Sequence, residues 1–173
     1  MPVPIRSIME EQMGLRVIAD IRLPDDASGQ IMFSNGEIPV MKDEGEGIRI
    51  LPYQRGDVLV DGYKALLYGL GAMNFTLAHE AWHWFANRTY VAFHKLTGEQ
   101  GGSSYNGTSK YSSADILEIQ ANAMASRIMM PRRAFILKDS ELAEKDIHER
   151  ISALASFFRV SYSAATIRLS QLG

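Results

Sequence analysis

Residues 75–86 constrain the fold most, because they carry two histidines four positions apart and contain no glycine or proline that would interrupt a helix. The histidines are His79 and His83, and Glu80 lies between them in the pattern H-E-x-x-H. On a helix, residues four apart lie on one face with Cβ atoms about 6 Å apart, so both imidazoles can reach a single cation. The sequence therefore predicts a metal-binding helix that faces a cleft.

The chemistry of this motif calls for a third metal ligand elsewhere in the chain. Two neutral imidazoles and a nearby carboxylate are the minimum of a zinc hydrolase, and a catalytic zinc takes three protein ligands with one position left open. Glu118 is the candidate third ligand. Asn122 follows it by one helical turn and can accept a hydrogen bond from the other ring nitrogen of His79, which would fix the orientation of that ring.

Composition narrows the possible functions further. The 173 residues include no cysteine, which excludes disulfides, thiolate ligands and a cysteine nucleophile. The formal net charge of −2 lacks the basic excess with which nucleic-acid-binding proteins neutralise phosphates. No stretch approaches about 18 uninterrupted apolar residues, and residues 1–14 lack the features of a signal peptide. We therefore expect a cytoplasmic protein with no membrane span.

Hydrophobic periodicity predicts an α+β fold in one domain spanning residues 1–173, with strands first and helices afterwards. β-branched runs separated by turn residues predict a short N-terminal antiparallel sheet between residues 15 and 60. A long polar segment at residues 96–113 predicts a flap. Within this domain we predict an N-terminal helix with strands over residues 1–62 and metal-site helices over residues 63–130. A C-terminal bundle of helices is predicted over residues 131–173. The predicted helices include residues 4–13, 115–130, 142–158 and 161–169.

The last two predicted helices have the spacing of a helix-turn-helix, so DNA binding is the rival function. Residues 131–173 contain seven basic and five acidic side chains, a thin excess for contacts with phosphates. The second helix offers Arg168 and Gln171 but is otherwise small and apolar. We therefore predict that it packs on the core or docks a protein partner, and DNA is disfavoured.

Four segments occur in an order and spacing that together resemble a known family. They are N-F-T-L-A-H-E at residues 74–80, E-x-x-A-N at 118–122, R-I-M-M-P at 127–131 and a tail with A-x-x-F-x-V-S at 155–161 and Arg-Leu at 168–169. This set is similar to that of the ImmA/IrrE family of bacterial metallopeptidases, over residues 75–173. Trp82 departs from the pattern, because the family usually has glycine there, and we expect the indole to crowd the cleft or reshape the substrate site.

The resemblance implies a thermolysin-like, zincin-like core with one Zn²⁺ per chain, held by His79, His83 and Glu118, and with Glu80 as general base. Known members cut helix-turn-helix repressors, so a repressor is the expected protein substrate. Two alternatives stay open: a metal-containing transcriptional or protein-binding regulator without peptidase activity, and a peptidase with broader peptide substrates. These ligand types also do not choose strongly between zinc and manganese. The candidates for stabilising an oxyanion are His94, Tyr105 and Tyr111.

Overall fold

A computed structural model of the chain describes residues 2–24, 27–41, 47–97 and 113–172, with the exception of the side chains of residues 90–97, 113 and 114. Helix α1 (Ile5–Ser7) continues as a π-helical turn over Ile8–Gln12. The strands are β1 (Arg16–Ile21), β2 (Gly29–Ile31), β3 (Gly36–Met41), β4 (Ile48–Tyr53) and β5 (Asp57–Asp61). The remaining helices are α2 (Gly62–Tyr68), α3 (Leu70–Thr97), α4 (Ser113–Met129), α5 (Arg132–Ser140), α6 (Ile147–Phe158) and α7 (Tyr162–Leu172).

The strands form two sheets, and one pairing contradicts the predicted antiparallel sheet. Strands β3 and β4 make an antiparallel hairpin, whereas the other sheet has the order β1-β5-β2. In that sheet β5 pairs antiparallel with β2 but parallel with β1, where Arg16 lies opposite Asp57. Three strands intervene between β1 and β5, so the chain can return in the same direction. Runs of β-branched residues indicate strands without indicating the direction of pairing.

The helices follow the predicted order with three differences. Helix α5 was not predicted, because only Phe135 in it is buried and the segment has no apolar period. Helix α6 begins at Ile147 rather than near residue 142, since the Asp146 carboxylate caps it by accepting hydrogen bonds from two backbone N–H groups. Helix α7 extends to Leu172. In none of the described ranges does a helix combine the length and the hydropathy that crossing a bilayer requires.

Helix α3 lies against the three-stranded sheet, and strand β2 runs alongside it over the H-E-x-x-H motif. Every second residue of this segment lies beside every fourth residue of α3. The pairs are Gly29 with Thr76, Ile31 with Glu80 and Phe33 with Trp84. Two strand residues advance about 6.6 Å and four helix residues about 6 Å, so the contacts recur at nearly the same spacing along both elements. Glycine is required at position 29, because a Cβ atom there would lie 2.5 Å from the Thr76 methyl carbon. The edge strand is thereby held directly beside the motif.

Candidate metal centre

Helices α3 and α4 bring together the three side chains with metal-binding atoms that the sequence singled out. The Nε2 atoms of His79 and His83 lie 2.9 Å apart. The Glu118 carboxylate on α4 faces both, with one oxygen 3.1 Å from His79 Nε2 and the other 3.2 Å from His83 Nε2. Among the described residues, these three form a group whose ligand atoms all lie within 4.8 Å of one another.

The donor set fits a zinc ion. Ligand atoms about 2 Å from one zinc in tetrahedral geometry are separated by about 3.3 Å, which is close to the spacings found here. Two neutral nitrogens and one carboxylate also leave a fourth position for water or substrate. The three side chains could therefore hold a divalent metal ion with only small adjustments.

Asn122 lies one turn beyond Glu118, and its side-chain oxygen is 3.1 Å from Nδ1 of His79. An amide oxygen only accepts hydrogen bonds, so this contact requires the proton to be on Nδ1. Nε2 then presents a lone pair toward His83 and Glu118. Such a contact fixes the tautomer that a metal ligand needs.

The electrostatics of the site favour a neutral imidazole and a proton-binding carboxyl. Burial lowers the pKa of His83, and the neighbouring His79 lowers it further, while Glu118 opposes both effects. Burial raises the pKa of Glu80 to about 7, and the charge of Glu118 acts in the same direction. The backbone N–H of Ile31 in β2 donates a hydrogen bond to the Glu80 carboxylate, which has the opposite effect on its pKa.

A cleft of about 650 Å³ opens above these atoms, with β2 along one wall and α3 and α4 on the other side. Its lining includes two phenylalanines that the sequence did not single out as site residues, Phe33 and Phe75. Phe75 lies one helical turn before His79, so the spacing within α3 places it on the same face. No local pattern marks Phe33, which reaches the cleft only because β2 runs beside α3.

A sequence profile described as the IrrE N-terminal-like domain, peptidase family M78, matches residues 69–170, more than half of the chain. The chain belongs to this family. The resemblance inferred from the motifs is thereby confirmed, and membership of a peptidase family indicates protease activity. The matched span includes all three side chains of the metal-binding group. Neither the curated proteins nor the solved structures include a match to this chain.

Of the remaining sequence predictions around this M78 site, the structure tests only the one for Trp82. Tyr105 and Tyr111, with most of the predicted flap, lie outside the described residues, and so does the side chain of His94 on α3. Trp82 is not among the described residues that line the cleft. Its ring packs against Phe85 with 5.6 Å between ring centroids, so the indole does not crowd the metal-binding atoms.

Proposed function

We propose that this protein is a zinc-dependent endopeptidase in which His79, His83 and Glu118 bind one zinc ion. The observation that carries the proposal is the convergence of three ligand atoms from α3 and α4 beside a buried carboxylate, under an open cleft. An edge strand running alongside the motif helix supports the further proposal of a zincin-like core. Family membership independently supports peptide-bond hydrolysis.

Glu80 is the proposed proton carrier. When bound, zinc supplies a Lewis acid that polarises a peptide carbonyl and lowers the pKa of a water molecule toward neutrality. The Glu80 carboxylate takes the proton from that water as it attacks and gives it to the departing amine. Burial strengthens the affinity of this carboxylate for a proton, and the Ile31 N–H holds it in place beside the cleft. Asn122 orients the imidazole of His79.

The proposed substrate is a regulatory protein, in particular a helix-turn-helix repressor, cut at one peptide bond. This part of the proposal is supported by the resemblance of the motifs to a family whose members cut such repressors. An open cleft bordered by an edge strand is suited to an extended segment of a protein substrate. A repressor substrate would place the reaction in the cytoplasm.

Metal content per chain tests the ligand set first. The wild type, purified without chelators and then supplied with zinc, should retain about one zinc ion per chain, as a single three-ligand site does. Glu118→Ala should lose most of it. Glu149→Ala is the matched control, because Glu149 is also a helical carboxylate and its side chain is 62% exposed against 58% for Glu118. Absence of zinc from the reconstituted wild type would overturn the proposal.

A cleavage assay then distinguishes the proposed role of Glu80 in proton transfer from the binding of the metal. Glu80→Gln should keep its zinc and yet fail to cut a repressor that the wild type cuts at one site. Retained cleavage in this variant would refute the role of Glu80.

The second candidate, a regulator that binds DNA through its C-terminal helices, is favoured by one feature. Helices α6 and α7 are joined by residues 159–161, with Arg159 in the left-handed region at φ 53°, which gives the short turn of a helix-turn-helix. However, Arg168, the cation expected to contact DNA, is buried and donates a hydrogen bond to the Met130 carbonyl. A DNA mobility shift that weakens with salt would support this candidate instead.

A further inference from the structure

We propose that the cleft selects protein segments with bulky apolar side chains on both sides of the bond to be cut, and that Phe33 and Phe75 make this selection. The inference rests on the proposed function, because it assigns the substrate preference of the same site. It concerns residues to which the proposed reaction gives no role.

Phe33 is an exposed aromatic ring on a rigid support. It follows β2 and stacks on Trp84 with 5.9 Å between ring centroids and 9° between ring planes. Arg55 lies over the Trp84 ring, with its guanidinium carbon 5.3 Å from the centroid. The stacking on Trp84 holds the Phe33 ring in place. Phe33 is nevertheless 40% exposed, and it lines the cleft. An ordered ring of this kind loses little conformational entropy when an apolar group packs on it.

Phe75 lies toward the other end of the cleft. It stands one turn before His79 on α3 and packs partly against the main hydrophobic core. The core contacts therefore hold its ring in place. Phe75 lines the cleft near the start of the motif, whereas Phe33 lies near its end, at Trp84. Along α3, His79 and His83 lie between Phe75 and Trp84, the residue on which Phe33 stacks.

The separation of the rings matches a short extended peptide. From Phe75 to Trp84, where Phe33 is stacked, the helix advances about 13 Å. An extended chain covers that distance with about four residues. A peptide lying along β2 can therefore place one side chain near each ring while the bond between them lies at the metal-binding atoms.

Charge does not offer an alternative basis for selection. Among the described residues that line the cleft, none is Lys or Arg, and the carboxylates are Glu80 and Glu118, which the proposed reaction uses. No side chain in that set provides an ion-pair partner for an acidic residue of the substrate. The remaining contacts available to substrate side chains are apolar or uncharged.

Phosphinic peptides are suitable probes, because they carry a zinc-chelating group in place of the scissile bond and side chains on both sides. Four such peptides would differ only at two positions four residues apart, the second residue before the phosphinic group and the third after it, which an extended chain places on one face about 13 Å apart. They would carry Phe at both positions, Phe at the first only, Phe at the second only, or Gln at both. Their dissociation constants from the zinc-loaded wild type would be measured by titration calorimetry. We expect the peptide with two Phe residues to bind at least about tenfold more tightly than the one with two Gln residues, since each phenyl group leaves water.

Variants assign the preference to the two rings. Phe33→Ala should remove most of the preference on one side, and Phe75→Ala should remove most of it on the other, with zinc uptake by each variant as the test of folding. Phe33→Leu should retain most of the preference, which distinguishes loss of apolar surface from misfolding. Phe157→Ala is the matched control, because Phe157 on α6 is 37% exposed but does not line the cleft.

Equal affinities for the four peptides in zinc-loaded protein would overturn this inference alone. A preference that survives in both Phe33→Ala and Phe75→Ala would overturn it as well. Failure of the wild type to take up zinc would overturn the proposed function together with the inference, and zinc analysis before the titration identifies that case.

Discussion

Replacing Glu80 by Gln is expected to stabilise the metal-free fold at alkaline pH, even though it removes the proposed proton carrier. Glu80 is 6% exposed, and burial raises the pKa of its carboxyl from an ordinary value of 4.5 to about 7. Between these values the folded protein keeps a proton that the unfolded chain has released. Glutamine keeps an acceptor oxygen for the Ile31 N–H and carries no charge at any pH.

The size of the effect follows from the two pKa values. Well below pH 4.5 the carboxyl is protonated in both states, and its burial has no pH-dependent cost. As the pH rises toward 7 the unfolded chain ionises first, so the free energy of unfolding of the wild type falls by about 1.4 kcal/mol per pH unit. Above pH 7 both states are ionised, and the accumulated loss levels off at about 3 kcal/mol. Glu80→Gln escapes this loss.

Urea unfolding in the presence of a chelator, followed by tryptophan fluorescence, measures the difference. The variant should exceed the wild type in free energy of unfolding by under about 1 kcal/mol at pH 5 and by about 3 kcal/mol at pH 8. Glu37→Gln, at an exposed position on β3, is the control and should show no such change with pH. A difference that is the same at both pH values, or a variant less stable than the wild type at pH 8, would refute the reasoning. Added zinc should narrow this difference, because a nearby cation favours the ionised carboxylate.

Three further perturbations test the parts that hold the site together. Gly29→Ala should cost about 1–3 kcal/mol in urea unfolding, because its Cβ would overlap the Thr76 methyl group, and Thr76→Ser in the same chain should recover part of that loss. Asn122→Ala should weaken zinc binding about 10- to 100-fold in competition with a chelator, since His79 loses its orienting acceptor, and an unchanged affinity would contradict this role. Asp146→Ala should lower the free energy of unfolding by about 1 kcal/mol through loss of the α6 cap, without changing zinc content.

The parts of the site that the sequence predicts are those whose determining interactions are local. The two histidines and Glu80 lie within one helical turn, so helical spacing alone places them together. Glu118 is 35 or more residues away along the chain, and only the need for a third ligand and the adjoining Ala-Asn pattern indicated it. The structure places its carboxylate against both imidazoles.

The features that sequence analysis missed depend on contacts between distant segments. The parallel pairing of β1 with β5 depends on how the chain returns to the sheet, which no strand pattern encodes. The hydrogen bond from Ile31 to Glu80 uses a backbone N–H, which every residue except proline has, so the amino-acid type at position 31 does not predict it. Phe33 gains its place in the cleft by stacking on Trp84 in another element. Helix α5 buries one residue and therefore lacks an apolar period.

The position of β2 in the chain has a consequence for how such a protein can change its substrate. The family profile matches residues 69–170, yet the strand beside the motif helix spans Gly29–Ile31 and Phe33 follows it. The proposed ligands and the proposed proton carrier thus belong to one continuous segment, while one wall of the cleft is encoded separately. Replacing Phe33 should therefore change the proposed preference on one side of the bond, while Phe75, the proposed ligands and Glu80 stay in place. One wall of the cleft and the proposed reactive centre are thus encoded in separate segments of the chain.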